Sequence, residues 1–155
     1  MKYQLLKTNS EKEITQLFTN VFTNSEGADE GLLIGNLVEE LQKTTKPEDF
    51  FCFVTIDSDE IIACVFFTRF TTKTAINSFI LSPVAVATKH QKKGIGQNLI
   101  KYGIDYLKQN NVELLITYGD PNFYSRVGFK QISEETIKAP LKLTYPEGWL
   151  ALSLS

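Results

Sequence analysis

Residues 79–108 constrain this chain more than any other stretch. They open apolar and β-branched, from Phe79 through Ile80, Leu81, Val84 and Val86, which suits a buried strand. They close on a helix, with Ile95, Leu99, Ile100, Ile104 and Leu107 spaced along one face. Between the two lies a polar, basic turn, Thr88 to Lys93, followed by Gly94 and Gly96. A strand that feeds a glycine turn and then a helix is suited to hold an anion. The first backbone N–H groups of a helix have no partner inside it, and the helix dipole adds partial positive charge there. Glycine lets that backbone come close to a phosphate.

A chain of 155 residues is read as one domain with a real core. A net charge of −2 argues against a general nucleic-acid binder. Met1-Lys2-Tyr3-Gln4 leads into no apolar signal segment. No run approaches the roughly 18 apolar residues of a membrane helix. The expectation is a cytoplasmic protein with no membrane partner. Cys52 and Cys64 each sit in a strand-like run and are expected as buried, reduced thiols. One His and two isolated Cys argue against a metal site.

In chain order, residues 2–7 form a short first strand. Ser10 and Glu13 make a capping-box pattern before a helix carrying Ile14, Leu17, Phe18, Val21 and Phe22. Residues 24–28 break it, and a second helix runs from about Asp29 through Leu33, Leu37, Val38 and Leu41 to about Thr44. Phe50 to Ile56, Ile61 to Thr71 and Ala75 to Ala87 are strands joined by turns at 57–60 and 73–74. Pro83 cannot donate to a ladder, so it marks an edge or a bulge in the third of these. A bulge there would open a gap between this strand and its neighbour. The helix from Gly94 to about Lys108 leads to a strand at 112–118, and strand–helix–strand favours a parallel pair. Asp120 caps a short helix that starts at Pro121, and Gly128 closes it. Residues 129–132 and 149–154 are the last strands, with a partly irregular segment between them.

With Gln91-Lys92-Lys93-Gly94-Ile95-Gly96 placed after the fourth strand, this order resembles the GNAT superfamily of N-acetyltransferases. The hexapeptide meets every fixed position of that family's phosphate signature, Gln/Arg-x-x-Gly-x-Gly/Ala. Val84-Ala85-Val86 stands where the family has its acyl-CoA-binding strand. Phe123-Tyr124-Ser125-Arg126-Val127-Gly128-Phe129 looks like its Tyr-x-x-x-Gly-Phe element, and the preceding Gly119-Asp120-Pro121 resembles a subgroup of small predicted bacterial acetyltransferases. The resemblance spans the chain and is specific from about residue 81 to 129.

It implies an α/β (α+β) fold with a mixed central sheet of about seven strands and about four helices. It also implies acetyl transfer from acetyl-CoA to a primary amine of a small molecule or peptide, by direct attack in a ternary complex. No metal is expected to take part, and the protein would be a monomer or homodimer. By the same resemblance Val84, Ala85, Val86, Gln91, Lys92, Lys93, Gly94, Ile95, Gly96, Asn122 and Tyr124 contact the coenzyme. The Val86 N–H would polarise the thioester carbonyl, and Tyr124 would protonate the departing thiolate. His90 is expected to be exposed and is not read as a base. Glu26, Asp29, Glu30 and Asp120 are candidate bases, and none is assigned. The alternative is a non-catalytic acyl-CoA-binding or sensing module on the same fold. A P-loop or dinucleotide site fits poorly, because Gln91 to Gly96 lacks the Gly-Lys-Ser/Thr ending and the third glycine.

Overall fold

Near-continuous apolar runs in the middle of the chain, buried on both faces, build the centre of a seven-stranded mixed sheet in the computed structural model, which describes residues 1–6 and 10–155. The strands are β1 (Lys2–Leu5), β2 (Phe50–Asp57), β3 (Glu60–Phe70), β4 (Ser78–Val86), β5 (Leu114–Tyr118), β6 (Lys130–Gln131) and β7 (Trp149–Ser153). Their spatial order is β1-β2-β3-β4-β5-β7-β6, antiparallel throughout except for the β4–β5 pair. The helices are α1 (Glu11–Glu26), α2 (Ala28–Thr44), α3 (Ile95–Gln109) and α4 (Pro121–Ser125). The last residue of the expected first strand, Lys7, lies outside the described residues. Among the described residues no helix is long and apolar enough to cross a membrane.

Strand periodicity assigns the two faces. Cys52, Val54, Cys64 and Phe66 pack with Ile14, Phe18, Val21 and Val38 of α1 and α2. Phe53, Val65, Phe67 and Leu81 pack with Ile95, Leu99, Ile100 and Leu107 of α3. Cys52 and Cys64 are buried free thiols whose sulfurs lie 3.4 Å apart. Burial first, and the neighbouring Cys52 second, push the Cys64 thiol well up.

The capping box does not form. Ser10 makes no side-chain cap, and Glu13 instead reaches the sheet, accepting from the Ile61 N–H at 3.1 Å. The break between α1 and α2 is the single residue Gly27 rather than a five-residue loop. The buried face of α2 also differs from expectation. It carries Gly31, Gly35 and Val38, while Leu33 and Leu37 are exposed. The cause is the closeness of α1: a Cβ on Gly31 would stand 1.8 Å from Thr23 Oγ1, and one on Gly35 2.3 Å from Thr19 Oγ1. Strands β4 and β5 are both shorter than read, since residues 75–77 and 112–113 stay outside them.

Pro83 does what its chemistry dictates. The Ser82–Pro83 peptide is cis, and register with β3 shifts between Val65↔Val84 and Phe67↔Leu81, so two residues of β4 oppose Phe66 alone. Pairing of β4 with β5 starts at Ser78↔Leu114 and ends at Leu81↔Thr117. Beyond that pair β4 continues along β3 to Val86, while β5 continues along β7 to Tyr118. The middle of the sheet therefore parts at its C-terminal side.

The segment after β6 is irregular apart from a 3₁₀ turn at Pro146–Gly148. It is pinned at two points. The Trp149 indole donates to Ile137 O at 2.8 Å, and the Tyr145 N–H donates to the Tyr118 hydroxyl at 2.7 Å.

Candidate active site

The parting of β4 from β5 exposes main-chain groups. The Ala87 N–H is bonded to Ile62 O of β3 at 2.7 Å. Alternation along an antiparallel strand then turns the N–H and C=O of Val86 and Val84 away from β3, toward the parting. The Val86 carbonyl bears this out, since it accepts from Gln91 Nε2 at 2.9 Å.

That contact folds the turn back on the strand. Lys92 and Gly94 both adopt positive φ, 64° and 78°, and Gly94 enters α3 in the left-handed conformation. No side chain caps α3. The first N–H bonded back to this end is that of Asn98, to Gly94 O at 3.0 Å, so the N–H groups of residues 95–97 have no partner inside the helix. Gly96 is needed for space as well: a Cβ there would lie 3.3 Å from Val86 Cγ2 and 3.7 Å from Phe123 Cζ.

These elements enclose a cavity of about 620 Å³. One wall is Val84, Ala85 and Val86; the turn supplies His90, Gln91, Lys92, Gly94, Ile95, Gly96 and Gln97. Val21, Phe22 and Ser25 of α1 close it from one side of the sheet, and Phe123 and Arg126 from the other. The cavity thus runs through the parted sheet and is lined from both faces. Among the described residues no Asp or Glu lines it, so its charged side chains are cationic.

Eight of the expected contact residues line this cavity, and Lys93, Asn122 and Tyr124 do not. Asn122 is held at the start of α4, where its N–H donates to Asp120 Oδ1 at 2.9 Å. That bond makes Asp120 the helix cap, as its position before Pro121 implied. His90 is half-buried and lines the cavity, where exposure was expected. Phe123 and Arg126 were not among the expected contacts. Their orientation is set where α4 ends, by Gly128 N–H to Ser125 O at 3.1 Å and Phe129 N–H to Tyr124 O at 3.1 Å. This Schellman pair turns on Gly128 at φ 104°.

Tyr124 is 8% exposed, edge-on to Phe123 and Phe129. Its phenol neighbours the Thr117 hydroxyl, which itself donates to Leu81 O at 2.9 Å. Tyr124 therefore stands at the apex of the parting, behind the cavity wall. Burial raises its pKa above the ordinary phenol value; the Thr117 hydroxyl opposes the rise and the Asp120 carboxylate adds to it. The phenol is fully protonated at neutral pH.

Among the described residues no group of three or more His, Cys, Asp or Glu is placed to hold a metal ion. Glu26, Asp29 and Glu30 are exposed around the α1–α2 junction, outside the cavity lining.

Residues 48–131 match the family described as acetyltransferase (GNAT) domain. The uncharacterized N-acetyltransferase YjhQ of Escherichia coli (strain K12) is 26% identical over 131 residues, covering 83% of this chain and 68% of YjhQ. A second uncharacterized N-acetyltransferase of that organism, YhbS, is 31% identical over 58 residues, 37% of this chain and 35% of YhbS. The crystal structure of Escherichia coli YhbS in complex with CoA superposes with a TM-score of 0.78 at 20% identity, covering 99% of this chain and 81% of that one. A GNAT family acetyltransferase from Brucella melitensis in complex with acetyl-CoA gives 0.74 at 19% identity, covering 99% and 89%.

Proposed function

Because this chain belongs to the GNAT acetyltransferase family, we propose that it transfers an acetyl group from acetyl-CoA to a primary amine of a small molecule or peptide. One observation carries this reading: a single cavity joins the unpaired N–H groups that open α3 to the gap-facing backbone of Val84 and Val86. The first can hold a pyrophosphate, through N–H groups and helix dipole. The second can pair with an extended amide-bearing arm as a sheet edge pairs with an added strand. The two relatives of similar fold solved with CoA and acetyl-CoA support the same ligand class.

The chemistry follows from the residues. An alkylammonium of pKa about 10 must shed a proton before its nitrogen can attack the acetyl carbon. The C–N bond forms, the C–S bond breaks, and the coenzyme sulfur leaves as a thiolate whose thiol has a pKa of about 8.5. The buried, protonated Tyr124 is suited to donate to that sulfur, and the proton shed by the amine restores the phenol. A main-chain N–H stabilises the oxyanion. Motif spacing gave that role to Val86. Val84 stands nearer to Leu81, where the strands part and where Tyr124 lies beside Thr117, so closeness to Tyr124 supports Val84 for the oxyanion and Val86 for the pantetheine arm.

Direct attack is preferred over an acyl-enzyme. Both cysteines are buried outside the cavity lining, and the Cys64 thiol is held protonated. His90 sits at the phosphate turn. One observation favours the second reading, a non-catalytic acyl-CoA sensor: Tyr124 is largely buried and absent from the cavity wall. Calorimetric titration with acetyl-CoA tests what both readings share. One-site binding is expected, and no binding at millimolar coenzyme would overturn both.

A further inference from the structure

Among the described residues the guanidinium of Arg126 takes part in no ion pair or hydrogen bond. The chain's other arginine shows what engagement looks like here. Arg69 pairs with Asp49 at 3.1 Å, bonds Asn77 Oδ1, reaches Glu48 O at 3.3 Å and lies over the Phe79 ring. Arg126 instead lines the cavity from the end of α4, where it is the capping residue, together with Phe123. Phe123 lies against the glycine turn, since its Cζ would be 3.7 Å from a Cβ on Gly96. Arg126 follows three residues later, on the same side of the helical turn. The wall it faces bears Lys92, His90 and the open N–H groups of α3, and no acid competes for it within the lining.

From this placement we infer that Arg126 binds a phosphate of the coenzyme, closing from α4 the anion site that the glycine turn opens. The inference rests on the acyl-CoA reading above. It names a side-chain contact that the motif does not contain, because the fixed positions of the Tyr-x-x-x-Gly-Phe element leave residue 126 free. A guanidinium fits this role because it stays charged and offers a planar fork of donors to phosphate oxygens. The coenzyme carries two such targets, its pyrophosphate and its 3′-phosphate.

The test is calorimetry of CoA and 3′-dephospho-CoA with wild type, Arg126→Gln and Arg126→Lys at low salt. Arg126→Gln should weaken CoA binding about ten- to a hundredfold, and Arg126→Lys should recover part of the loss. The deficit should shrink at high salt. A loss confined to CoA identifies the 3′-phosphate, and an equal loss for both ligands identifies the pyrophosphate; either supports the inference. Wild-type CoA affinity in folded Arg126→Gln, as judged by an unchanged melting temperature, overturns it and leaves the coenzyme reading intact. A wild-type protein that binds neither ligand overturns the coenzyme reading itself, and this inference with it.

Discussion

The side-chain amide of Gln91 donates to the main-chain carbonyl of Val86 at 2.9 Å, tying the glycine turn to the end of β4. Gln91 therefore acts from within the protein, fixing the turn against the strand. Its replacement by Ala should remove a hydrogen bond worth about 1 kcal/mol and loosen the turn. CoA binding measured by calorimetry should weaken about fivefold, with the turnover of bound coenzyme little changed. A fall in turnover with unchanged affinity would show that the contact serves the chemistry instead.

Gly94 and Gly96 should fail in different ways. Gly94 has open space around its missing Cβ but holds φ at 78°, so Gly94→Val acts on the backbone. A β-branched residue in the left-handed region costs about 1–2 kcal/mol, seen as a lower denaturant midpoint. Gly96 has helical φ but little room, with Val86 Cγ2 at 3.3 Å. Gly96→Val should fill the cavity and abolish detectable CoA binding while the fold persists. Full CoA affinity in Gly96→Val would place the ligand elsewhere.

The α1–α2 pair gives a prediction about stability alone. Alanine is the better helix former by about 1 kcal/mol, yet a Cβ at Gly31 would meet Thr23 Oγ1 at 1.8 Å and Thr19 O at 2.9 Å. Main-chain oxygen cannot rotate away. Gly31→Ala should therefore destabilise by about 1–3 kcal/mol in chemical denaturation. A stabilised variant would mean that the helices can separate without loss.

These contacts mark where sequence reading reaches its limit. The strand, glycine turn and helix of residues 79–108 were legible because apolar spacing and glycine act locally. The bulge at Pro83 was legible too, since a missing N–H must interrupt a ladder wherever it falls. Glu13 was misread because a capping box looks the same in sequence whether its acid turns to its own helix or, as here, to Ile61 across the fold. The apolar face of α2 was misplaced onto Leu33 and Leu37, since the pattern cannot show that two glycines will take the contact. Phe123 and Arg126 were missed for a related reason: their direction depends on how α4 ends and on what it packs against. The charge of Arg126, two residues before Gly128, was the signal available.

Tyr124 should leave a signature at alkaline pH. Its folded pKa is raised by burial, whereas in the unfolded chain the phenol titrates at about 10. The folded state keeps the proton longer, so the stability tied to this group is complete below that pH and is lost as pH rises through the folded value. Above about pH 10 the wild type should lose stability more steeply than Tyr124→Phe, with the other tyrosines cancelling in the comparison. Parallel curves would place the phenol in contact with water.

We propose acetyl transfer at the parting of β4 and β5, with Tyr124 protonating the leaving sulfur. Its most direct test is acetyl-CoA-dependent thiol release, screened across polyamines, aminoglycosides, amino acids and peptides, with wild type and Tyr124→Phe side by side. Release is expected with at least one amine class, with a turnover about a hundredfold or more lower in Tyr124→Phe at nearly unchanged coenzyme affinity. Tight coenzyme binding with no release for any amine, or full turnover in Tyr124→Phe, would contradict it.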